Sequence, residues 1–500
     1  MVCKINCAVI TGIETKPVVV ETDVCGGLPA FDMVGLLASD VRESRERVRT
    51  ALKNSGFALP PRRITINLSP ADIRKTGTYF DLPIAVSILS ALGMLECSLE
   101  KKVFVGELSL NGDIVPVNGV LPIVLCALEQ GMDSCFVPAG NVGECSFIKE
   151  MNIIGVESLN QLFIFLNQKE GIKNNSEKFL VQDTDEDRFQ YDFKDIKGQA
   201  QAVRGAEIAA AGMHNILMSG PPGTGKSVIA KTIISILPDM KLEERIEISK
   251  IQSIAGILGS GLVRERPFRK PHYTATVAAM AGGGINPKPG EMTLAHGGVL
   301  YMDEFPEFSR SVIESLRQPL EDKEIVVSKS GGTYIFPADF MLLASMNPCR
   351  CGYYPDRNKC RCTEREVKKY IEKISGPIMD RIDLYVHMNP VSFYELNKEK
   401  SQKSSEEIRK RVFEAVNIQR DRYENEKINF NSGLSGQALE EYCHLNKKEK
   451  SLMEQIYDRF QLSVRGYEKI LKTARTIADL KGKKYIGVSE ISEAVSFRKQ

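Results

Sequence analysis

The chain has 500 residues and a mass of 55.6 kDa, too much for one ordinary hydrophobic core, so about two to four domains are expected. A hydrophobic fraction of 43% and a charged fraction of 26% exclude a mainly disordered, collagen-like or membrane-embedded chain. Lys+Arg 66 against Asp+Glu 64 leaves a net charge of +2, which argues against a charge-dominated nucleic-acid binder but averages over domains and leaves room for a local basic channel.

Residues 1–166 read as a mixed α/β domain. The first twelve residues lack the basic and long apolar regions of a signal peptide, so none is expected. Period-two stretches at Lys16–Glu21 and Arg63–Asn67 predict strands, and the spacing of Val41, Val48 and Leu52 predicts a helix over Asp40–Asn54. The apolar run Leu82–Leu95, bounded by Asp81 and Glu96, is shorter than the ~20 residues of a spanning helix and reads as a core helix. Asn111-Gly112 between Glu107 and Val115 predicts a hairpin. From 167 to 193 the composition turns to Gln, Lys, Asn, Glu and Asp, the signature of a linker.

From 194 to 395 helix, strand and glycine-rich turn alternate, which implies a parallel sheet with its ligand at the strands' carboxyl ends. Gly220-Pro221-Pro222-Gly223-Thr224-Gly225-Lys226-Ser227 follows an apolar strand and opens an apolar helix. In such a phosphate loop, backbone N–H groups surround the β-phosphate, Lys226 reaches the β/γ oxygens and Ser227 ligates magnesium. Downstream, Val299 to Met302 is a buried-strand run ending in Asp303 and Glu304, placed to hold hydrated Mg2+ and to polarise an attacking water. Leu342 to Asn347 is a second such strand; Asn347 either reaches the γ-phosphate or starts a turn before Pro348. Arg381, between Asp380 and Asp383, is either a surface ion pair or a finger offered to a neighbouring subunit. The stretch 396–500 is helical in pattern throughout and reads as a lid.

Four of the twelve cysteines cluster, as Cys349, Cys351, Cys360 and Cys362. Two thiolate pairs facing across a short loop would close a tetrahedral zinc site, although the spacing is tighter than the usual ligand pair and a redox or free-thiol reading stays open. The remaining cysteines are scattered among apolar residues, as in a reducing, cytoplasmic setting.

Taken together, the phosphate loop, Asp303-Glu304, Asn347-Pro348-Cys349, Gly376 to Leu384, and Ser463-Val464-Arg465-Gly466 with Ala474 to Leu480 resemble the magnesium-chelatase-like AAA+ ATPases of the YifB or ComM family. The resemblance spans essentially the whole chain. It implies ATP and Mg2+ as cofactors, Asn347 as sensor 1, Arg381 as a trans-acting finger, Arg465 as sensor 2, and a ring that is usually a homo-hexamer. It implies two insertions as well: one in helix 2, matched to Arg266–Thr276 with the glycines after Ala281, and a hairpin matched to Glu324–Phe336. In related ring helicases both touch nucleic acid, so Lys329, Arg264, Arg266, Arg269 and Lys270 become candidate DNA contacts, with a solvated loop or a subunit-interface patch as the other reading.

The N-terminal domain resembles the Lon protease catalytic domain, in the S5-like α/β fold. Aligned on that family, Tyr79 and Ile123 stand where active members carry the Ser nucleophile and Lys base, and neither Ser69 nor Lys75 has a spacing that replaces them. The expectation is therefore a DNA-directed, ComM-like branch-migration or helicase motor without a membrane association. A chelatase-type subunit remodelling a partner protein is the alternative, and the missing dyad disfavours an ATP-dependent protease.

Overall fold

The computed structural model describes residues 2–168, 191–284, 287–329, 332–393, 403–426 and 428–498. Alternation sets the first sheet. Strand β1 (Cys3–Thr11) pairs antiparallel with β2 (Glu14–Cys25) from Cys3↔Thr22 to Thr11↔Glu14, and β2 buries Val18, Val20 and Thr22 on one face. The strand expected at Lys16–Glu21 is thus the middle of a longer one. Then follow β3 (Ala30–Val34), helix α1 (Ser39–Asn54), β4 (Arg63–Ser69), helix α2 (Asp81–Ala91), β5 (Lys102–Phe104), β6 (Glu107–Leu108), β7 (Ile114–Val115), helix α3 (Val120–Glu129), β8 (Ser134–Pro138), β9 (Asn152–Val156) and helix α4 (Leu159–Gln168). The sheet runs β3-β4-β2-β1-β5-β8-β9, and β6 and β7 form the hairpin predicted around Asn111-Gly112.

Helix α1 turns Val41, Ser44, Val48, Ala51 and Leu52 inward, the stripe its sequence spacing demands. Helix α2 is buried nearly all round and ends at Ala91, short of the expected Leu95. Its one charge, Asp81, is held by the Arg47 guanidinium at 2.8 and 3.0 Å, which offsets the cost of burying a carboxylate. Each fully buried Val or Leu in this core contributes about 1.5–3 kcal/mol.

Most of the expected linker, residues 169–190, lies outside the described residues; at its edges Gln168 still belongs to α4, and Phe193 is fully buried in the second core. There, helix α5 (Ala200–Gly212), β10 (Ile216–Ser219), helix α6 (Lys226–Thr232), helix α7 (Leu242–Ala255), β11 (Phe268–Arg269), β12 (Val299–Met302), the hairpin strands β13 (Glu324–Lys329) and β14 (Gly332–Pro337), β15 (Met341–Met346) and β16 (Leu384–His387) follow in order. The second sheet is β11-β12-β15-β10-β16, parallel throughout. Every residue of β10, β12 and β15 is buried, the continuous apolar run of a strand covered on both faces.

The segment matched to a helix-2 insertion contains β11, which pairs Phe268↔Val299 and Arg269↔Leu300 at the sheet's edge, and continues from Lys270 to Thr276 outside any strand or helix, mostly exposed. The hairpin forms as expected, with its turn at 330–331 outside the described residues.

Helices Ser405–Arg422, Gly436–Tyr442, Lys447–Arg459, Val464–Leu480 and Val488–Ser496 complete the chain. They share one buried apolar cluster with the sheet: Ile216, Met218 and Ile229 pack in the same core as Val412, Ile470, Ala474 and Ile491. The N-terminal unit meets α7 through polar contacts. Gly119 N donates to the Ser253 carbonyl (2.9 Å), Ser253 Oγ to Glu144 Oε2 (2.6 Å), and Gly261 N to the Gly143 carbonyl (2.8 Å).

Candidate active site

The carboxyl ends of β10, β12 and β15 lie side by side, and each carries one part of the site. After β10 the phosphate loop turns back through Gly225 at φ 90, a left-handed conformation that disfavours any side chain, and α6 opens at Lys226. Lys226 Nζ donates to the carbonyls of Gly220 (2.6 Å) and Pro221 (2.9 Å) and to Asn347 Oδ1 (3.2 Å). Burial pulls the Lys226 pKa down, opposed by Asp303 and Glu304.

Asp303 is the hub. Ser345 Oγ donates to its Oδ1 at 2.5 Å, Ser227 Oγ to its Oδ2 at 3.3 Å, and Lys270 Nζ to the same oxygen at 3.0 Å. Burial works to raise its pKa, but the hydrogen bonds from Ser345 and Lys270 outweigh it and hold the carboxyl below its ordinary range. The Tyr301 hydroxyl donates to Ser227 Oγ at 3.3 Å. Glu304, next along, is exposed and held at φ 52, left-handed backbone that a non-glycine residue rarely adopts and that concentrates at functional positions.

A cavity of about 420 Å3 is lined by Pro222, Gly223, Thr224, Gly225, Lys226 and Ser227 on one side and Asp303, Glu304, Ser345 and Asn347 on the other. Its donor set suits a nucleoside triphosphate with a magnesium ion: a loop of backbone N–H groups and an ammonium on one wall, a hydroxyl and an ionised carboxylate on the other.

Arg381 and Arg465 are not in this cavity. Both reach Glu321, Arg465 Nη2 at 2.7 Å, and Arg381 Nη1 also donates to the Pro377 carbonyl at 2.8 Å. They line a separate cavity of about 740 Å3 between the sheet and the C-terminal helices.

The five basic residues expected to share a nucleic-acid surface part company. Lys329 and Arg264 are exposed. Arg266 is buried and donates to the Pro238 carbonyl (2.7 Å), the Gly297 carbonyl (2.6 Å) and Glu244 (3.0 Å), so its guanidinium braces the core. Arg269 is matched by Glu291 in a two-point pair, 2.7 Å in each contact. Lys270 belongs to the Asp303 hub, because β11 runs alongside β12 and delivers it there. For Arg266 the DNA-contact expectation is replaced by a role in the core, whereas Arg269 is half-buried and Lys270 exposed, each already paired to a carboxylate.

Ser345 and Tyr301 escaped the sequence reading, and Lys270 entered it only as a nucleic-acid contact. Two of them had a signal: Tyr301 and Asp303, and likewise Ser345 and Asn347, are two apart along a strand and so share a face.

The four clustered cysteines bring their sulfurs within 4.8 Å of one another. Cys349–Cys351, Cys349–Cys360 and Cys351–Cys360 are separated by 3.3, 3.8 and 3.5 Å. Hydrogen bonds from the Tyr353 main chain and from Cys349 pull the Cys351 thiol down to about 6, whereas burial pushes Cys360 up to about 12. All twelve cysteines are unpaired by disulfides. In the N-terminal unit, Tyr79 is a buried ring whose hydroxyl accepts from Ile10 N (3.1 Å), Ile123 is fully buried, and the buried Lys75 is bound to the Pro70 carbonyl. No helix among the described residues is long and apolar enough to cross a membrane.

Comparison with known proteins gives three family matches: subunit ChlI of Mg-chelatase over residues 20–141, magnesium chelatase subunit ChlI over 192–396, and the ChlI C-terminal region over 402–498. Competence protein ComM of Haemophilus influenzae is 38% identical over 497 residues, covering 97% of this chain and 95% of that one. YifB of Salmonella typhimurium is 38% identical over 491 residues and YifB of Escherichia coli 37% over 490, each with 97% and 95% coverage. Lon protease 2 of Bacillus subtilis is 27% identical over 222 residues, 38% of this chain and 39% of that one.

Proposed function

The chain belongs to the YifB/ComM family of magnesium-chelatase-like AAA+ ATPases, and from that premise we propose that it is a homo-hexameric ring motor that hydrolyses ATP to move DNA, as in branch migration or unwinding of recombining strands. The convergence of Lys226, Ser227, Asp303, Glu304 and Asn347 on one cavity carries the hydrolytic part of this reading. Gly220–Ser227 cradle the triphosphate, and Lys226 leaves its carbonyl partners for the β/γ oxygens. Ser227 and Asp303 would hold a magnesium ion, which would supply neutralisation of the charge developing on the phosphates. Glu304 orients the water and takes its proton as the oxygen bonds to the γ-phosphorus, while the bond to the bridging oxygen breaks to leave ADP and phosphate. Asn347 keeps water and γ-phosphate aligned.

Arg381 acts on the neighbouring subunit's nucleotide in this reading, and Arg465 is its sensor 2. The separation of Arg381 from the phosphate-loop cavity within one chain supports its trans assignment. The reading divides the chain into an N-terminal Lon-like domain without its dyad (1–166), a linker (167–193), the ATPase core (194–395) and the helical lid (396–500). The four cysteines are taken as a zinc site, and elemental analysis of purified protein is expected to give about one zinc per chain, with none favouring free thiols.

The DNA substrate rests on the similarity to ComM and on the β13–β14 hairpin with its exposed Lys329. At low salt, single-stranded or four-way-junction DNA is expected to stimulate phosphate release, and Lys329→Ala to abolish the stimulation while sparing the basal rate. DNA that neither binds nor stimulates the assembled ring would overturn the DNA reading. That outcome would favour the chelatase-type alternative, to which the family matches point by name and in which a partner protein is the activator.

A further inference from the structure

The cysteine cluster adjoins the nucleotide cavity through the turn that follows Asn347. Cys349 follows Asn347 by two residues, and Asn347 Oδ1 is a partner of the phosphate-loop Lys226. The turn Cys349–Gly352 closes on itself, with Gly352 N donating to the Cys349 carbonyl at 3.0 Å. At its far end Gly352 is pressed against the phosphate loop: a Cβ there would lie 2.7 Å from Pro222 Cδ and 2.8 Å from Pro222 Cγ, and 3.9 Å from Asn347 Cγ. Gly352 has φ 87, so both the backbone and the contact require glycine. On the other side Cys349, Cys360 and Val367 form a small buried cluster against which Ile371 packs, fixing the turn to the helix Glu364–Ile371.

We infer that the four-cysteine centre is a metal-dependent strut for the phosphate loop: a thiophilic divalent cation of the zinc class locks the Cys349–Gly352 turn, and the turn holds Pro222 and Asn347 where the triphosphate needs them. The inference rests on the zinc reading above and adds to it a role in nucleotide binding. The sulfur geometry fits. Zinc–thiolate bonds of about 2.3 Å in a tetrahedron set sulfurs about 3.8 Å apart, whereas a disulfide needs about 2.05 Å; the three contacts among Cys349, Cys351 and Cys360 run from 3.3 to 3.8 Å, and Cys362 lies within 4.8 Å of each. Two of the four ligands, Cys349 and Cys360, are buried, so without a metal the turn is left with buried thiols and no covalent tie across the loop. The phosphate loop then loses its rigid neighbour, and a displacement of the order of an ångström in such a site costs up to about a hundredfold in rate. Gly352 acts as a positioning residue in this scheme and touches no reacting atom.

The test measures the affinity of a fluorescent ATP analogue, by anisotropy, for full-length protein in three forms: as purified with its zinc counted, stripped with a mercurial reagent and chelator, and carrying Gly352→Ala. Stripping is expected to weaken binding about tenfold, equivalent to about 1.4 kcal/mol, and added zinc chloride to restore it. Gly352→Ala is expected to retain zinc and its circular dichroism spectrum yet bind the analogue comparably poorly, a combination that general unfolding would not produce. Unchanged affinity in a verified zinc-free, folded protein overturns the strut while leaving the zinc site standing. Protein that neither contains nor takes up zinc overturns the zinc reading itself, and the strut with it.

Discussion

Arg381→Ala is expected to lower ATP turnover by about 10³–10⁵-fold, the range for removal of an arginine finger, while leaving nucleotide affinity nearly unchanged. The asymmetry follows from placement. Arg381 lies in the cavity of Glu321 and Arg465, outside the one that holds Lys226 and Asp303, so its loss removes nothing from the chain's own phosphate cradle. Its side chain is only 10% exposed, and truncation leaves Glu321 with Arg465 at 2.7 Å, so the carboxylate keeps a partner and the fold is expected to survive. The decisive experiment mixes subunits. A Lys226→Ala chain cannot hydrolyse ATP itself but still carries Arg381, and when mixed with Arg381→Ala chains it should restore part of the phosphate release. A mixture no more active than the sum of its separate components would remove the trans assignment.

Glu304→Gln is expected to bind ATP and retain the ring while hydrolysing about 10²–10⁴-fold more slowly, the usual contribution of a positioned general base. Glutamine keeps the length and one acceptor of the side chain but cannot take the proton of the attacking water. Nothing in the Asp303 hub depends on the Glu304 side chain: Ser227, Ser345 and Lys270 all bond Asp303, and Glu304 contributes to it only a backbone N–H, 3.2 Å from Asp303 Oδ1. Affinity and turnover should therefore separate cleanly. Turnover at the level of the unmodified protein in a phosphate-release assay would withdraw the base role from Glu304.

The residues of the hydrolytic cavity were legible because buried parallel strands announce themselves as unbroken apolar runs, and polar residues at their carboxyl ends stand out. Asp303, Glu304 and Asn347 were found that way. β11 was not, because a two-residue strand carries no periodicity, and Arg266, Arg269 and Lys270 around it look like a solvated basic patch until their partners are known. Those partners, Glu244, Glu291 and Asp303, come from elements distant in sequence, and one chain read alone does not pair them. The polar joint of α7 with the N-terminal unit was hidden for the same reason: Ser253 and Glu144 are 109 residues apart.

The apolar cluster common to the second sheet and the C-terminal helices bears on how the chain comes apart. Ile216 and Met218 share that cluster with Ile470, Ala474 and Ile491, so the helices cannot leave without baring one face of the sheet, while the other face keeps its own cluster of Leu217, Leu300, Met302 and Leu342. The helices that sequence marks off as a lid are thus expected to melt with that face of the sheet as one cooperative unit, rather than as the separate third domain of the sequence division.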